Sequence, residues 1–145
     1  MGAGIVCGDR QLSVLSGQDT IDGEVLQGSA TDIKILPDSS SFVPSIGTSF
    51  GVVLYSKSAA HSKNYRAVVA HPPMGPEART DQSWAVTAPA GTHAFFVGYT
   101  LEDEIELVPG QWMFFLLEED KTMVMTHRFD LLPSHKGEAA VLSCP

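Results

Sequence analysis

Leu107-Val108-Pro109-Gly110-Gln111-Trp112-Met113-Phe114 is the stretch that decides how this chain folds. Pro109-Gly110 makes a tight corner, because proline presets its own φ and glycine takes backbone angles closed to other residues. Beyond the corner the side chains of an extended strand alternate, so Trp112, Phe114 and Leu116 share one side. Two large aromatics just inside a rigid corner mark a strand that enters a core. Pro109, Gly110, Trp112 and Phe114 are therefore the expected structural centre.

Downstream, Gln111 to Glu118 and Thr122 to Leu132 read as a hairpin across the polar turn Glu118-Glu119-Asp120-Lys121. Upstream, Thr92 to Thr100 sets Phe95, Val97 and Tyr99 on one face, and Trp84 to Thr87 is a short strand. Tyr65 to His71 alternates Tyr65, Ala67, Val69 and His71 against Arg66, Val68 and Ala70. Pro72-Pro73-Met74-Gly75-Pro76 is expected to end it, since proline cannot donate to a ladder. Thr48 to Tyr55 groups Phe50, Val52 and Leu54. Asp38 to Ser41 reads as a polar loop, and Thr31 to Leu36 alternates up to Pro37. Ile5 to Cys7, Leu12 to Leu15 and Glu24 to Gln27 each read as a short edge strand. No window of about twelve residues carries a capped helical period.

Short strands with tight spacing and no helices between them predict two antiparallel sheets packed face to face, an all-β sandwich of about seven strands. A closed barrel is the second architecture. One domain is expected over residues 1–145, with its core over 24–132 and a loop or tail over 133–145.

The Pro109-Gly110 corner with Trp112, Phe50-Gly51-Val52 in an early strand, His71-Pro72 ending the next and the late Phe129-Asp130-Leu131 form an ordered set. That set resembles an uncharacterised bacterial family of small immunoglobulin-like β-sandwich proteins, classed only as a domain of unknown function. The resemblance runs from roughly Gly4 to Leu132 and implies an immunoglobulin-like or fibronectin-like sandwich. Its motifs are corners, core aromatics and a proline stop, so no catalytic residue carries over, and fold alone does not imply function.

The chain has 145 residues with a formal net charge of −8, from 9 basic and 17 acidic residues. Phosphate binding takes clustered Lys and Arg, which are scattered here, so nucleic acid is not an expected partner. No apolar run approaches the ~20 residues of a membrane span. The N-terminus lacks the basic start and long apolar segment of a secretory signal. The expected location is cytoplasmic, with a leader removed before Met1 left open. Cys7 and Cys144, near opposite ends, read as free thiols or as one bond between the termini; neither has the close neighbour that a zinc site needs.

Signatures of serine hydrolases, phosphate loops and zinc proteases are absent. Of the five histidines, His61 and His135 fall in polar segments, and His93 belongs to the far end of the sandwich. His71 and His127 share parity with the apolar faces of their strands. The sandwich places those strands parallel on either side of the Trp112 strand, with Glu106 near the same end. His71, His127 and Glu106 are thus the candidate metal or acid–base cluster. The plainer reading is two core-edge histidines bonded locally, because strands two apart stand ~9–10 Å from each other. The acidic runs Glu102 to Glu106 and Glu118 to Asp120 fall at opposite ends of the Trp112 strand, so no shared calcium site is expected. Trp84 or Tyr99 would serve a small-molecule or carbohydrate binder as a stacking platform, against the plainer reading of core packing.

The Trp112 strand is apolar on both sides: Met113, Phe115 and Leu117 oppose Trp112, Phe114 and Leu116. A sandwich strand needs only one buried face. The N-terminal thirty residues, a second copy or a different protein would cover the other. The expected function is a non-enzymatic protein-interaction module that binds a protein partner or itself through Met113, Phe115 and Leu117. No cofactor is expected.

Overall fold

Trp112 lies fully buried in the computed structural model, with its indole N–H donating to Val108 O at 3.0 Å across the corner. Gly110 takes φ +132°, and a Cβ there would stand 2.6 Å from Pro72 Cγ, so the corner closes only on glycine. The structure describes residues 2–7, 13–16, 24–29, 34–36, 39–55, 61–88, 90–91 and 94–133. Cys144, His93 and His135 lie outside them, and with them the question of Cys7 pairing.

Eleven strands are present among the described residues, where about seven are expected. They are β1 (Gly2–Cys7), β2 (Ser13–Ser16), β3 (Glu24–Ser29), β4 (Lys34–Ile35), β5 (Ser41–Phe42), β6 (Ser49–Tyr55), β7 (Lys63–Met74), β8 (Arg79–Ala88), β9 (Ala94–Thr100), β10 (Gly110–Glu118) and β11 (Met123–Leu131). A 3₁₀ turn, Glu104–Glu106, precedes the Pro109-Gly110 corner. The six-stranded sheet has the order β2-β3-β9-β6-β1-β4 and the five-stranded sheet β5-β11-β10-β7-β8. The chain is an all-β sandwich. Among the described residues no helix is long and apolar enough to cross a membrane.

The inward parities are those of the sequence. Phe50 and Val52, Ala67 and Val69, Trp84 and Val86, Phe95, Val97 and Tyr99, and Trp112, Phe114 and Leu116 form one continuous core with Phe129 and Leu131. Phe50 is its centre, with ring centroids 5.1–6.4 Å from Phe42, Phe129, Trp112, Phe114 and Tyr99, all in edge-on geometry.

Three details depart from expectation. Pro72 and Pro73 do not end β7, which runs on to Met74 while its pairing with β8 slips between Ala70 and Met74. β10 pairs with β7 only as far as Ala70, so the prolines fall where that ladder asks no N–H of them. The segment around Ser41 is a strand rather than a polar loop: β5 runs parallel to β11 and buries Phe42. The N-terminal strands are not all at edges. β1 sits between β6 and β4 and puts Ile5 into the core, and β3 sits between β2 and β9.

Replacing Phe50 by alanine removes the ring that Phe42, Tyr99, Trp112, Phe114 and Phe129 lean on. The expected loss is about 3–5 kcal/mol of unfolding free energy, read from urea denaturation followed by tryptophan fluorescence. A loss below about 1 kcal/mol would mean that the two sheets do not depend on this contact.

Candidate functional site

β7 and β11 run parallel on either side of β10, which is the arrangement the two-histidine cluster requires. The side chains nevertheless separate. His71 lies under Trp112, with ring centroids 4.9 Å apart, and turns toward β8. Its Nδ1 is 2.8 Å from Pro72 O and its Nε2 is 3.0 Å from Gln82 Nε2. A carbonyl only accepts, so Nδ1 carries the ring proton and Nε2 accepts from the Gln82 amide. Both nitrogens are engaged, and no lone pair is left for a metal.

His127 pairs in register with Phe114, and its ring turns toward β5, away from β7. Its ring packs edge-on against Phe129, and its Nε2 stands 3.0 Å from Ser40 Oγ beside β5. The backbone of Ser40 is itself pinned, since its carbonyl accepts the Asp130 N–H at 2.7 Å. His71 and His127 therefore do not converge, and no group of three His, Cys, Asp or Glu side chains among the described residues is placed to hold a metal ion.

Glu106 does join His71, through Gln82, not singled out from the sequence, and Tyr99, read there as core packing or a stacking platform. Gln82 Oε1 is 3.2 Å from Tyr99 Oη, and Tyr99 Oη is hydrogen-bonded to Glu106 Oε2. Glu106 Oε1 accepts the backbone N–H groups of Glu102 (2.8 Å) and Asp103 (3.1 Å). The result is a polar chain from Pro72 through His71, Gln82 and Tyr99 to the 3₁₀ turn, crossing from one sheet to the other. His71, Gln82, Tyr99 and Glu106 are all buried. The signal for Gln82 was present in the sequence: it shares parity with Trp84 and Val86, so a polar residue sits on an apolar face.

Trp84 and Tyr99 are 2% and 1% exposed, so neither offers a ring to a ligand, and the stacking-platform reading fails. The second face of β10 is different. Met113, Phe115 and Leu117 are half-buried on the outside of the five-stranded sheet. Val68 flanks Phe115 on one side and Thr126 on the other; Ala70 and Arg128 flank Met113 in the same way. Val124 and Met123 nearby are 45% and 53% exposed. The first thirty residues do not provide the cover, as far as they are described, because β1, β2 and β3 all belong to the other sheet.

Residues 13–131 match the model of a domain of unknown function, DUF3859. The chain belongs to that family. An immunoglobulin-like protein from Pseudomonas aeruginosa has a similar structure, with a TM-score of 0.55 and 18% identity over 80% of this chain and 98% of that one. At that identity the likeness is one of fold, and the fold of this DUF3859 member is immunoglobulin-like. No curated protein matches the sequence.

Both imidazoles are held below the usual histidine value, His71 mainly by burial against the opposing pull of Pro72 O and Asp81, and His127 by burial. Below about pH 6.5 the unfolded chain thus binds a proton at position 71 that the native state resists, and stability falls as pH falls. The stability of the wild type relative to His71→Gln should decline through that window in urea-denaturation series. A gap that widens in favour of the wild type on acidification would contradict a neutral native His71.

Proposed function

We propose that this domain is a protein-interaction module and that the outer face of the five-stranded sheet is its contact surface. The observation that carries the reading is the partly exposed apolar stripe Met113, Phe115 and Leu117, widened by Val68 and Ala70 on β7 and by Val124 on β11. An antiparallel sheet that faces water is ordinarily polar on that side. Contiguous apolar area on an outer face marks a surface that associates.

Of the two arginines at its rim, one is paired with a carboxylate and the other is hydrogen-bonded to a neutral hydroxyl. Arg128 Nε donates to Asp130 Oδ1 at 2.8 Å, and Arg66 Nη2 donates to Ser83 Oγ at 2.8 Å. A second copy, which brings the same apolar stripe, would cover this face. Sheets stack face to face at about 10 Å with their side chains interleaved, so two such faces cover each other around Phe115. The reading assigns no chemistry to the domain: His71 and Glu106 act in the buried chain, and His127 is bonded to Ser40.

Light scattering on size-exclusion fractions of the full chain should give twice the monomer mass, falling with dilution. Phe115→Asp should give the monomer at every concentration with an unchanged far-ultraviolet circular dichroism spectrum. Met113→Ser should weaken association by about 1–2 kcal/mol, in keeping with the apolar area it withdraws. A wild type that stays monomeric at its solubility limit would overturn self-association as the role of this face.

A further inference from the structure

The charges on the outer face of the five-stranded sheet lie to opposite sides of Phe115. Phe115 is level with Val68 on β7, and Val68 with Ser83 on β8. Arg66 stands two residues from Val68 toward the Leu117 end, level with Leu117 and Ala85. Asp81 stands two residues from Ser83 toward the Met113 end, level with Ala70. Each is therefore displaced by about 7 Å along the strands, in opposite directions. Both are exposed, and Asp81 shares the outward parity of Ser83 and Ala85, because Gln82, Trp84 and Val86 point inward. Arg66 Nη2 donates to Ser83 Oγ at 2.8 Å, which draws the guanidinium from β7 toward β8. A hydroxyl leaves its charge unmet. The other arginine of the face, Arg128, is level with Met113 and already paired with Asp130.

We propose that two copies stack through this face about a two-fold axis that crosses the strands at the level of Phe115, with Arg66 of each copy paired to Asp81 of the other. The proposal rests on the reading of the face as a self-association surface and adds its orientation and the residues that set it. A two-fold contact is self-complementary, so every pairing occurs twice. An axis across the strands lays each strand over its own equivalent and reverses it. Phe115 then covers Phe115 of the second copy, and Met113 covers Leu117. The level of Arg66 falls on the level of Asp81. The guanidinium, already drawn toward β8, faces the Asp81 carboxylate across the gap of about 10 Å between stacked sheets. The other face-to-face arrangement has its axis along the strands and lays β7 over β11. It puts Arg66 over the Met123–Val124 end of β11, which carries no charge, and brings Asp81 toward Arg128, whose charge Asp130 already meets. An unpaired charge covered by an apolar surface is disfavoured, so the first arrangement prevails. The chain carries a formal charge of −8, and two copies repel at long range, so unlike charges in contact favour the one orientation that supplies them.

Charge reversal separates the orientation from association itself. Arg66→Asp alone opposes two carboxylates at both contacts, and Asp81→Arg alone opposes two guanidinium groups. Each should raise the dissociation constant of the full-chain dimer by about ten-fold or more in analytical ultracentrifugation. Mixed in equal amounts, the two variants restore unlike charges at both contacts. Native mass spectrometry should then show the mixed dimer well above the half share of random pairing. The double variant, Arg66→Asp with Asp81→Arg, should associate within about three-fold of the wild type. A wild-type dimer that both reversals leave unchanged, or an equal mixture with no excess of mixed dimer, would overturn this orientation and leave self-association of the face standing. A wild type that stays monomeric would overturn both.

Discussion

The contact of Phe50 with rings from both sheets is the interaction on which the rest of the molecule depends. Phe50 stands on β6 in the six-stranded sheet and meets Trp112, Phe114 and Phe129 from the five-stranded sheet, with Phe42 and Tyr99 at its sides. All five contacts are edge-on, the arrangement that the ring quadrupole favours, and each is worth about 0.5–1.5 kcal/mol beyond the area it buries. With those rings interlocked, the spacing and relative rotation of the sheets are set. Trp112 is then held over His71, and Tyr99 is brought within reach of Gln82. The polar chain exists because the aromatic packing places its members.

What the sequence shows of this fold is what period two can encode. The inward sets on β6, β7, β9 and β10 are legible residue by residue, because a strand with one buried face must alternate. The Pro109-Gly110 corner is legible because both residues restrict the backbone in known ways. The short parallel β5 is not, since two residues carry no period and its partner β11 lies some ninety positions away along the chain. Pro72 and Pro73 mislead for a related reason: whether a proline is tolerated depends on which neighbour strand reaches that level, and β10 stops pairing at Ala70. The candidate cluster was half legible. Parity and strand order bring His71 and Glu106 to one end of the sheet. Rotamer choice decides the outcome, and the partners Gln82 and Ser40 decide the rotamers.

The fate of the histidines shows how burial removes chemistry from residues whose types suggest it. A histidine works as a ligand or base when a lone pair is free and the proton can leave. In His71 one nitrogen is tied to Pro72 O and the other to Gln82, under an indole, at 6% exposure. In His127 the remaining polar contact is to Ser40, beside an aromatic ring. Both nitrogens of His71 are satisfied where they lie, which is the condition for tolerating polar atoms in such a core. The same satisfaction turns the His71 chain into a structural tie between the two sheets.

The two outer faces of the sandwich are built on opposite rules, and the difference bears on function. Outside the six-stranded sheet, Phe96 is fully buried, and it lies against Gly51 and Gly98, which pair with each other across β6 and β9. A Cβ on Gly98 would stand 2.4 Å from the ring, so those two positions are hollowed to seat it, with Val6 and Val53 completing a small cluster. Outside the five-stranded sheet nothing comparable among the described residues receives Phe115. Its cross-strand neighbours are Val68 and Thr126, which have side chains of their own and leave it partly exposed. Where the fold needs an outward aromatic, the chain provides a seat. Met113, Phe115 and Leu117 have none among the described residues, and the core lies on the other side of β10.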